Sequence, residues 1–405
     1  MKKKPEDVDV LVVGSGLAGA TASCALAHAR LKIVVLESEQ KPEWDSTKYD
    51  LRASALNIAS QNTLSNIGAW QKIESMRMSR FEAIAVWDEN SGGHIHFEGN
   101  DAGLNYLGHI VENSATLSAL HEILYQKNVE VHYGISINRV YHDKDYILVE
   151  TEDEKNFRAK LLVGADGSNS RVRDLSDISI HKKPYRQKAI VAKVVTEKTN
   201  RRTAYQKFLS SGPLAFLPLS DYQSLIVWST DEQTSDELMS LPNPMFEQKL
   251  GNVFDHKLGI IKLASHRKRF SVTSGQASTY IKKRIALIGD AAHIVHPLAG
   301  LGANQGIMDA AALAEIVNTS ANNSTDIGNR AALRRYERWR RAENQLISST
   351  VHAIFKCFSS TNSTISNLRY VGLNLTDNIK PMKNLFIKRA AGISGKLPEI
   401  SRFSH

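Results

Sequence analysis

Cysteine is scarce in this sequence, and long apolar runs are missing. Only Cys24 and Cys357 occur among 405 residues, so a disulfide framework is excluded and a reducing, cytoplasmic compartment is the default expectation. No stretch of about 18 apolar residues is present, so no transmembrane helix is predicted. Residues 1–7 lack an apolar signal region and lead directly into a predicted strand, so no secretory targeting is predicted.

Internal repeats, low-complexity segments and linkers rich in proline, glycine or serine are missing as well. The hydrophobic content of 42% is normal for a globular protein. A chain of 405 residues is too long for one simple core, and it suits two closely joined domains.

Charge of both signs is present but unevenly distributed. The chain has a net charge of +9, and residues 330–405 carry nine Arg and five Lys against three Glu and one Asp. Five arginines lie on one predicted helix: Arg334, Arg335, Arg338, Arg340 and Arg341. They form either a solvated helix face or a surface for anionic lipid or an acidic partner. Since no nucleic-acid module accompanies the charge, nucleic acid is not a predicted partner.

A glycine-rich turn follows the first predicted strand, residues 8–13. Its sequence is Gly14-Ser15-Gly16-Leu17-Ala18-Gly19, and residues 17–29 then predict a helix. Gly14 permits the turn, Gly16 lets the backbone approach a pyrophosphate, and Gly19 lets the helix pack on the strand. The start of the helix supplies free N–H groups and partial positive charge for phosphates.

An acidic residue directly follows the next predicted strand, residues 32–36. Glu37 lies 18 residues beyond Gly19, where an acid accepts hydrogen bonds from the hydroxyls of an adenosine ribose. An acid there favours a ribose without a 2′-phosphate, so FAD or NAD is expected rather than NADP. An ordinary glycine turn in an α/β protein is the alternative.

Two further glycine segments complete a pattern typical of an FAD cradle. The second is Gly164-Ala165-Asp166-Gly167, with Arg171 and Arg173 beyond it as candidate phosphate contacts. A strand-to-helix turn capped by Asp166 is the alternative. The third begins Gly289-Asp290-Ala291-Ala292-His293, and Asp290 is predicted to accept hydrogen bonds from the ribityl hydroxyls of FAD.

The third segment continues through His296 and Pro297 into another glycine-rich stretch. Gly300, Gly302 and Asn304 lie before a predicted helix, where the backbone can lie against a flat ring and N–H groups can stabilise negative charge on it. His293 and His296 also have helix-type metal spacing. Since no third ligand is evident, no metal is predicted.

The spacing of the three segments predicts a discontinuous Rossmann-like FAD-binding domain in an α/β protein. Residues 1–75, 105–180 and 270–345 are assigned to it. Residues 76–104 and 181–269 form an inserted, mainly antiparallel β-sheet domain for the substrate, because they contain alternating and apolar strand patterns. Residues 346–405 form a helical C-terminal region.

The chain resembles flavin monooxygenases of the p-hydroxybenzoate hydroxylase type, and more narrowly the bacterial ubiquinone-biosynthesis hydroxylases. The resemblance covers roughly residues 7–390. Besides the third glycine segment, it rests on residues 49–56 (YDLRASAL), 67–70 (IGAW), 107–113 (LGHIVEN) and 212–219 (GPLAFLPL). The last of these is most similar to the hydroxylase that acts late, on a 2-polyprenyl-3-methyl-6-methoxy-1,4-benzoquinol.

The resemblance implies roles for particular residues. Arg52 is expected near FAD and its phosphates, with a surface salt bridge as the alternative. His293, His296 and Pro297 are candidates for the catalytic centre by proximity. Four aromatic residues on the predicted sheet are candidates for the substrate pocket, with core packing as the alternative: Trp87, Phe208, Phe216 and Trp228. Leu301 stands where the family commonly has Gln, which puts any side-chain role at that position in doubt.

The implied reaction is hydroxylation of the quinol or phenol ring of a prenylated ubiquinone precursor through a flavin C4a-hydroperoxide. FAD is the expected cofactor, O2 the co-substrate and NAD(P)H the expected electron donor, although no second nucleotide fingerprint is present. The substrate would be delivered in one of two ways: by peripheral contact of the basic C-terminal region with the inner membrane, or by a ubiquinone-synthesis complex. A non-catalytic assembly subunit and a flavin reductase acting on an isoprenoid are the alternatives. The Trp-x-Trp-x-Ile motif of halogenases is missing.

Overall fold

A computed structural model describes residues 4–296, 300–360 and 362–402. Its strands are β1 (Glu6–Val13), β2 (Ile33–Glu37), β3 (Ala53–Asn57), β4 (Met78–Phe81), β5 (Ala83–Asp88), β6 (His94–Glu98), β7 (Gly108–Glu112), β8 (Glu130–Tyr133), β9 (Ile137–His142), β10 (Ile147–Thr151), β11 (Asn156–Gly164), β12 (Ile180–Thr196), β13 (Thr203–Leu209), β14 (Gly212–Ser220), β15 (Gln223–Asp231), β16 (Ile261–Leu263), β17 (Lys268–Ala277), β18 (Ile281–Lys282), β19 (Ile285–Leu287) and β20 (His293–Ile294).

The α-helices are α1 (Leu17–Leu26), α2 (Ile58–Asn66), α3 (Trp70–Glu74), α4 (Asn113–Gln126), α5 (Arg171–Leu175), α6 (Glu232–Ser240), α7 (Asn243–Val253), α8 (Leu301–Asn322), α9 (Arg330–Ser359), α10 (Ser363–Asn378) and α11 (Lys380–Ala390). A 3-10 turn over Gly289–Ala291 lies between β19 and β20.

The first sheet is mainly parallel, and the N-terminal strand lies in its interior. The strand order is β18-β19-β11-β1-β2-β8, with β9 and β10 attached to β11 as an antiparallel pair. Residues 10–13 of β1 are apolar and buried, as expected for a parallel strand that is covered on both faces. Helix α1 packs against the sheet and against α4 and α8.

The second sheet is antiparallel except where β5 lies parallel to β13. Its order is β20-β17-β12-β15-β14-β13-β5-β6, with β16 paired to β12. Strands β5 and β6 form a hairpin, and the alternating and apolar patterns within residues 189–230 form as β12 to β15. Apolar residues of α6 and α7 pack on one face of this sheet.

The two large sheets interleave along the chain. The second sheet takes residues 83–98, 180–231, 261–277 and 293–294, so the expected boundary at residue 270 falls within β17. A third, small sheet, β3-β7-β4, is not hydrogen-bonded to either in the described part of the chain and packs against the second sheet. Helices α9, α10 and α11 follow, and the predicted fold class, mixed α/β with a helical C-terminus, is confirmed. Within the ranges described, no helix is sufficiently long and apolar to span a bilayer.

Candidate functional site

The three glycine segments meet at the ends of neighbouring parallel strands. Strand β11 lies between β1 and β19, and each segment follows one of these strands. The N–H of Ala165 donates to the carbonyl of Val13 at 2.8 Å, and the N–H of Ile288 donates to the carbonyl of Gly164 at 2.9 Å. Segments that are far apart in the sequence therefore form one continuous surface.

The three glycines of the first segment have different surroundings. A Cβ at Gly14 would overlap the backbone of Ala165, and one at Gly19 would overlap the carbonyl of Gly14. Gly14 also has φ +97°, which favours glycine. A Cβ at Gly16, in contrast, would have no atom within 4 Å. Gly14 and Gly19 thus serve packing, whereas Gly16 leaves space beside the start of α1.

That space belongs to a cleft of about 590 Å³ at the edge of the first sheet. Glu37 lines the cleft, and its carboxylate accepts hydrogen bonds from the N–H of Ser15 at 2.5 Å and of Glu39 at 3.0 Å. The predicted residues that share the cleft are Gly14, Gly16, Glu37, Arg52, Asp166 and Gly167, with Arg171 beside them.

Asp166 both stabilises a helix start and faces the cleft. One carboxylate oxygen accepts the N–H of Val172 at 3.0 Å, while the other is buried without a hydrogen-bond partner among the described residues. Burial raises the pKa of this carboxyl above its ordinary value. Gly167 has φ +77° and open space around its Cα. The second segment therefore combines the predicted turn with an acceptor available to a ligand.

A second cavity, of about 490 Å³, lies between the small sheet β3-β7-β4 and the second sheet; we call it the ring cavity. Asp290 and Gly300 line it, and Arg52 lines both this cavity and the cleft. The Arg52 guanidinium lies 5.4 Å from the ring centroid of Phe270. The cleft and the ring cavity therefore adjoin at Arg52, and together they can hold one elongated ligand.

Asp290 reaches the ring cavity from the third segment. Its side chain is open to the cavity, while protein atoms surround its other sides. Burial raises the pKa of its carboxyl. Such a carboxyl is a strong hydrogen-bond acceptor for hydroxyl donors that enter the cavity.

A buried polar network supports the third segment from beneath. The N–H of Gly289 donates to Oδ2 of Asp309 at 3.0 Å, and Nε2 of His293 lies 2.5 Å from the same oxygen. Oδ1 of Asp309 accepts from Nε of Arg340 at 2.7 Å and from Asn344 at 3.1 Å. Burial alone would raise the pKa of Asp309, but the facing His293 and Arg340 outweigh it and lower the pKa.

The catalytic candidates among the histidines are placed away from the ring cavity. His293 belongs to the Asp309 network. His296 is buried, with its ring 4.6 Å from the ring of Tyr185 and 5.5 Å from that of Phe355. Burial lowers the pKa of His296 to about 4. These contacts favour packing and positioning over a catalytic role for both histidines. Pro297 lies outside the described residues.

Three of the four aromatic candidates lie on the far face of the second sheet. The ring of Phe216 stacks on that of Phe254 at 3.9 Å, and the ring of Trp87 lies 5.1 Å from Phe254. The ring of Trp228 lies 6.1 Å from that of Phe246. These partners lie in or directly after α7, which packs on the face opposite the ring cavity, so the expected substrate role is corrected to core packing.

Phe208 lies on the cavity face but is covered by helix α9. Its ring stacks on Phe358 at 3.9 Å, so it is also corrected to a packing residue. Side chains alternate across a strand, and the residues that do line the ring cavity on this sheet are mostly small or aliphatic. They include Ala189, Val191, Ala204, Ala215, Leu217, Leu225, Val227 and Ser229. Small side chains leave the space that large aromatic ones would fill.

Asn304 stabilises the start of α8. Its side-chain oxygen accepts from the N–H of Asn57 at 2.9 Å and the hydroxyl of Ser60 at 2.7 Å, and its amide nitrogen donates to the carbonyl of Ala55 at 2.8 Å. The side chain of Asn304 is thus occupied within the protein, and a cofactor contact at this position would come from its backbone. Gly302 has open space around its Cα, and Gly300 has φ +61°. Both remain suited to a close backbone approach.

The segment that carries Arg52 is held by an ion pair between the partly exposed Arg77 and the buried Glu112. Nε of Arg77 donates to Oε1 of Glu112 at 2.7 Å, and Arg77 also donates to the carbonyl of Ser46 at 2.7 Å. Glu112, which is 1% exposed, accepts the N–H of Asp50 at 2.7 Å. Glu112 belongs to the motif at residues 107–113, and this motif therefore helps to hold the segment that carries Arg52.

Other supporting residues were also not identified from the sequence. His121 lines the cleft, and its Nε2 lies 3.0 Å from the hydroxyl of Ser15. Arg340 was assigned to the basic surface, but it is buried in the Asp309 network. Of these residues, only Asp309 could have been identified from the sequence. It is an acidic residue within an apolar run of Ile, Met and Ala, and such a run is expected to be buried.

Comparisons with known proteins agree with this geometry. The family described as "FAD binding domain" matches residues 7–349. This chain belongs to that family. The flavoprotein is 33% identical to the ubiquinone hydroxylase UbiL of Rhodospirillum rubrum, over 97% of this chain and 92% of the relative. It is 34% identical to the human mitochondrial ubiquinone biosynthesis monooxygenase COQ6, over 93% of this chain and 90% of the relative.

Solved structures support the fold. The FAD-dependent monooxygenase PqsL of Pseudomonas aeruginosa superposes with a TM-score of 0.78 at 23% identity, covering 92% of this chain and all of that one. The p-nitrophenol 4-monooxygenase PnpA of Pseudomonas putida also gives 0.78, at 18% identity, covering 96% and 99%. The predicted FAD monooxygenase family and its cofactor, FAD, are confirmed. NAD(P)H and O2 are the usual donor and co-substrate of the class.

FAD fits the residues that are present. The open space at Gly16, Gly167 and Gly302 is what a backbone approach to a cofactor requires. The free acceptor of Asp166 lies in the same cleft. The cleft suits the adenosine and phosphate part of the dinucleotide, and the adjoining ring cavity suits its flat ring and a substrate.

Proposed function

We propose that this flavoprotein hydroxylates the aromatic ring of a prenylated quinol or phenol, a precursor of ubiquinone. The names of the relatives from Rhodospirillum rubrum and human support the pathway. The single observation that carries the reaction is the ring cavity, which adjoins the FAD cleft at Arg52 and is otherwise largely apolar. An aromatic substrate there would lie beside the flat end of the cofactor.

The lining of the ring cavity suits a neutral ring with an apolar substituent. Among the described lining residues, Arg52 and Asp290 are the only ones with a basic or acidic side chain. Arg52 lies where the cavity adjoins the cleft, and Asp290 belongs to the third segment. The remaining wall is built from apolar and neutral polar side chains. Away from these two residues, a charged substrate would lose hydration without gaining a partner.

When bound, FAD supplies the activation of O2 and the transfer of a hydroxyl group to an electron-rich ring. In this chain, Glu37 would hold the adenosine ribose, the backbone at Gly16 and the start of α1 would hold the phosphates, and Asp290 would accept from the ribityl hydroxyls. The apolar wall excludes water from the reacting ring. The hydroxyl of a quinol or phenol activates its own ring, so no protein nucleophile is required.

The electron donor, the substrate and the route of its delivery are part of the same proposal. NAD(P)H would bind transiently, because the sequence contains no second nucleotide fingerprint. The substrate would be the late, methoxylated benzoquinol that the segment at residues 212–219 favours. Peripheral association with the inner membrane, or a ubiquinone-synthesis complex, would deliver it to an enzyme without a predicted membrane span.

The quinone profile of a strain lacking this protein tests the function. We expect ubiquinone to be lost and a precursor that lacks one ring hydroxyl to accumulate. Expression of the wild-type protein should restore ubiquinone. Purified protein should show an oxidised-flavin spectrum and should oxidise NAD(P)H faster when a demethoxy-type quinol is added. A normal ubiquinone content in the deletion strain would contradict the proposal.

A Gly16→Val variant separates catalysis from a purely structural role. The new side chain fills the space beside the cleft, so FAD binding should be lost while the fold is kept. If the protein is the hydroxylase, this variant cannot restore ubiquinone. Restoration by the FAD-free variant would show instead that the protein acts as an assembly subunit.

A further inference from the structure

We infer that helices α10 and α11 form a docking face for an anionic lipid membrane, next to the wall of the ring cavity. The inference rests on the proposed function, because a prenylated substrate resides in a bilayer. The docking face consists of six exposed apolar side chains: Leu368, Val371, Leu375, Ile379, Leu385 and Phe386.

The apolar residues of α10 lie along one side of the helix. Leu368, Val371 and Leu375 follow one another at intervals of three or four residues, which places them in a single stripe, and Ile379 lies directly after the end of the helix. Leu368 is 65% exposed, Val371 56% and Leu375 50%. Apolar side chains at helical spacing normally face a core, so this stripe requires a covering partner outside the chain.

Helix α11 connects the docking face to the ring cavity. Leu385 and Phe386 are exposed by 61% and 47%, whereas the adjacent Ile387 is 1% exposed. Ile387 belongs to the same apolar cluster as Phe81 and Ala204, which line the ring cavity. One side of α11 is therefore part of the support for the cavity wall, while its other side faces outward.

The charge of the two helices favours anionic lipid over other partners. Lys380 and Lys388 on α11 are exposed, as is Lys356 on α9. The sequence of α10 and α11 contains one acidic residue, Asp377, and it is paired with Lys383 at 3.3 Å. Lysines beside an apolar stripe are typical of helices that bind the interface of anionic membranes. A two-fold dimer through the same face would bring these lysines together.

The basic cluster at residues 334–341 does not supply this surface by itself. Arg340 is buried in the Asp309 network, and Arg341 lies 3.6 Å from Glu337. Apolar contact and lysine charge thus coincide on α10 and α11. Docking there would place Ile387 and the cavity wall beside the bilayer, where a prenyl tail could pass beneath α11.

Vesicle flotation with the FAD-loaded, full-length protein tests the docking face without any substrate. We expect binding to vesicles of phosphatidylcholine mixed with phosphatidylglycerol, and weaker binding to phosphatidylcholine alone. Leu375→Glu and Leu385→Glu should each weaken binding by about tenfold or more, because each removes one buried leucine side chain from the interface. Tyr125→Glu, at a site that is 81% exposed on α4, is the matched control and should bind as the wild type does.

Turnover with two substrates links the face to catalysis. Leu385→Glu should raise the KM for a long-tailed quinol in vesicles by about tenfold, while a short-tailed, water-soluble analogue should keep its KM and kcat. An unchanged flavin spectrum and thermal unfolding midpoint would show that the variant folds.

The outcomes distinguish the docking inference from the proposed function. Equal flotation of wild type and both leucine variants overturns the docking face, even if the enzyme hydroxylates its quinol. Loss of a dimer in the variants, without wild-type flotation, assigns the face to a second copy and also overturns the inference. Flotation of a protein that hydroxylates nothing supports docking and overturns only the proposed function.

Discussion

Asp309 is the residue on which the third glycine segment depends most directly. One of its oxygens receives the N–H of Gly289 and approaches His293, and the other receives Arg340. A buried charge with well-placed partners costs little as long as every partner stays. Removal of any one of them leaves the rest uncompensated.

We therefore predict that Asp309→Asn lowers the free energy of unfolding by about 3 kcal/mol, because the buried Arg340 loses its counter-charge. The dissociation constant of FAD should rise by about tenfold as the loop at Gly289 loosens. Flavin fluorescence titration and denaturant unfolding measure the two effects. Asp236→Asn, which affects an exposed ion pair with Arg269, should cost less than about 1 kcal/mol. Unchanged FAD affinity in Asp309→Asn would remove the proposed support.

Two buried histidines make stability depend on pH. Burial lowers the pKa of His109 and of His296 to about 4, whereas an unfolded histidine titrates near about 6.5. Between these values the unfolded chain binds protons that the folded chain does not, so stability is lost as the pH falls from about 6.5 towards 4. Each histidine should contribute about 2 kcal/mol of this loss at a pH of about 5.

Denaturant unfolding at neutral and acidic pH checks this expectation. His296→Gln should lose less stability on acidification than the wild type, because one of the two protonation sites is gone. His94→Gln, at an exposed position, is the matched control. An identical pH slope in wild type and His296→Gln would show that His296 titrates normally in the folded protein.

At the scale of elements, the clamp between β7 and the segment before β3 determines where Arg52 lies. Arg77 and Glu112 form the ion pair, and the N–H of Asn113 donates to the carbonyl of Arg52 at 2.8 Å. The clamp contacts no part of the cleft directly in the described structure. Its effect on FAD must therefore pass through Arg52.

We predict that Arg77→Met weakens FAD binding by about tenfold, and that Arg52→Ala does the same. The double variant should be scarcely weaker than either single one, because both changes remove the same contact. Arg80→Met, which breaks an exposed pair with Glu82, should bind FAD as the wild type does. Additive losses in the double variant would show that the clamp does not act through Arg52.

Elements were predictable from the sequence to the extent that their patterns are local. The apolar run of β1, the glycine turn and the hairpin of β5 and β6 each follow from neighbouring residues. The orientation of the second sheet does not, because alternation defines two faces without telling which one α7 covers. Trp228 and Phe216 were therefore placed in the pocket, whereas the smaller Ala215 and Val227 line it.

The other limit on prediction from the sequence was contacts between residues of elements that lie far apart in the chain. Arg340 belongs by sequence to a basic helix face, and only the packing of α9 on α8 brings it to Asp309. The glycine segments, in contrast, were identified together because each follows a strand, and parallel strands bring such turns to one edge of a sheet. Glu37 and Asp166 were found for the same reason.

At the scale of the whole molecule, the fold joins two kinds of space. The first sheet supplies a polar cleft with helix starts and carboxylates, and the second sheet supplies a largely apolar cavity; Arg52 lies at both. Neither sheet alone could hold both a dinucleotide and an apolar substrate. The interleaving of the two sheets along the chain is what brings the spaces together.

A crystal structure of the protein with bound FAD tests this account most directly. We predict one FAD per chain, with its adenosine ribose at Glu37, its pyrophosphate beside Gly16, its ribityl chain at Asp290 and its ring at the mouth of the ring cavity near Gly300. FAD bound on another surface, or a ring that points away from the cavity, would contradict the account.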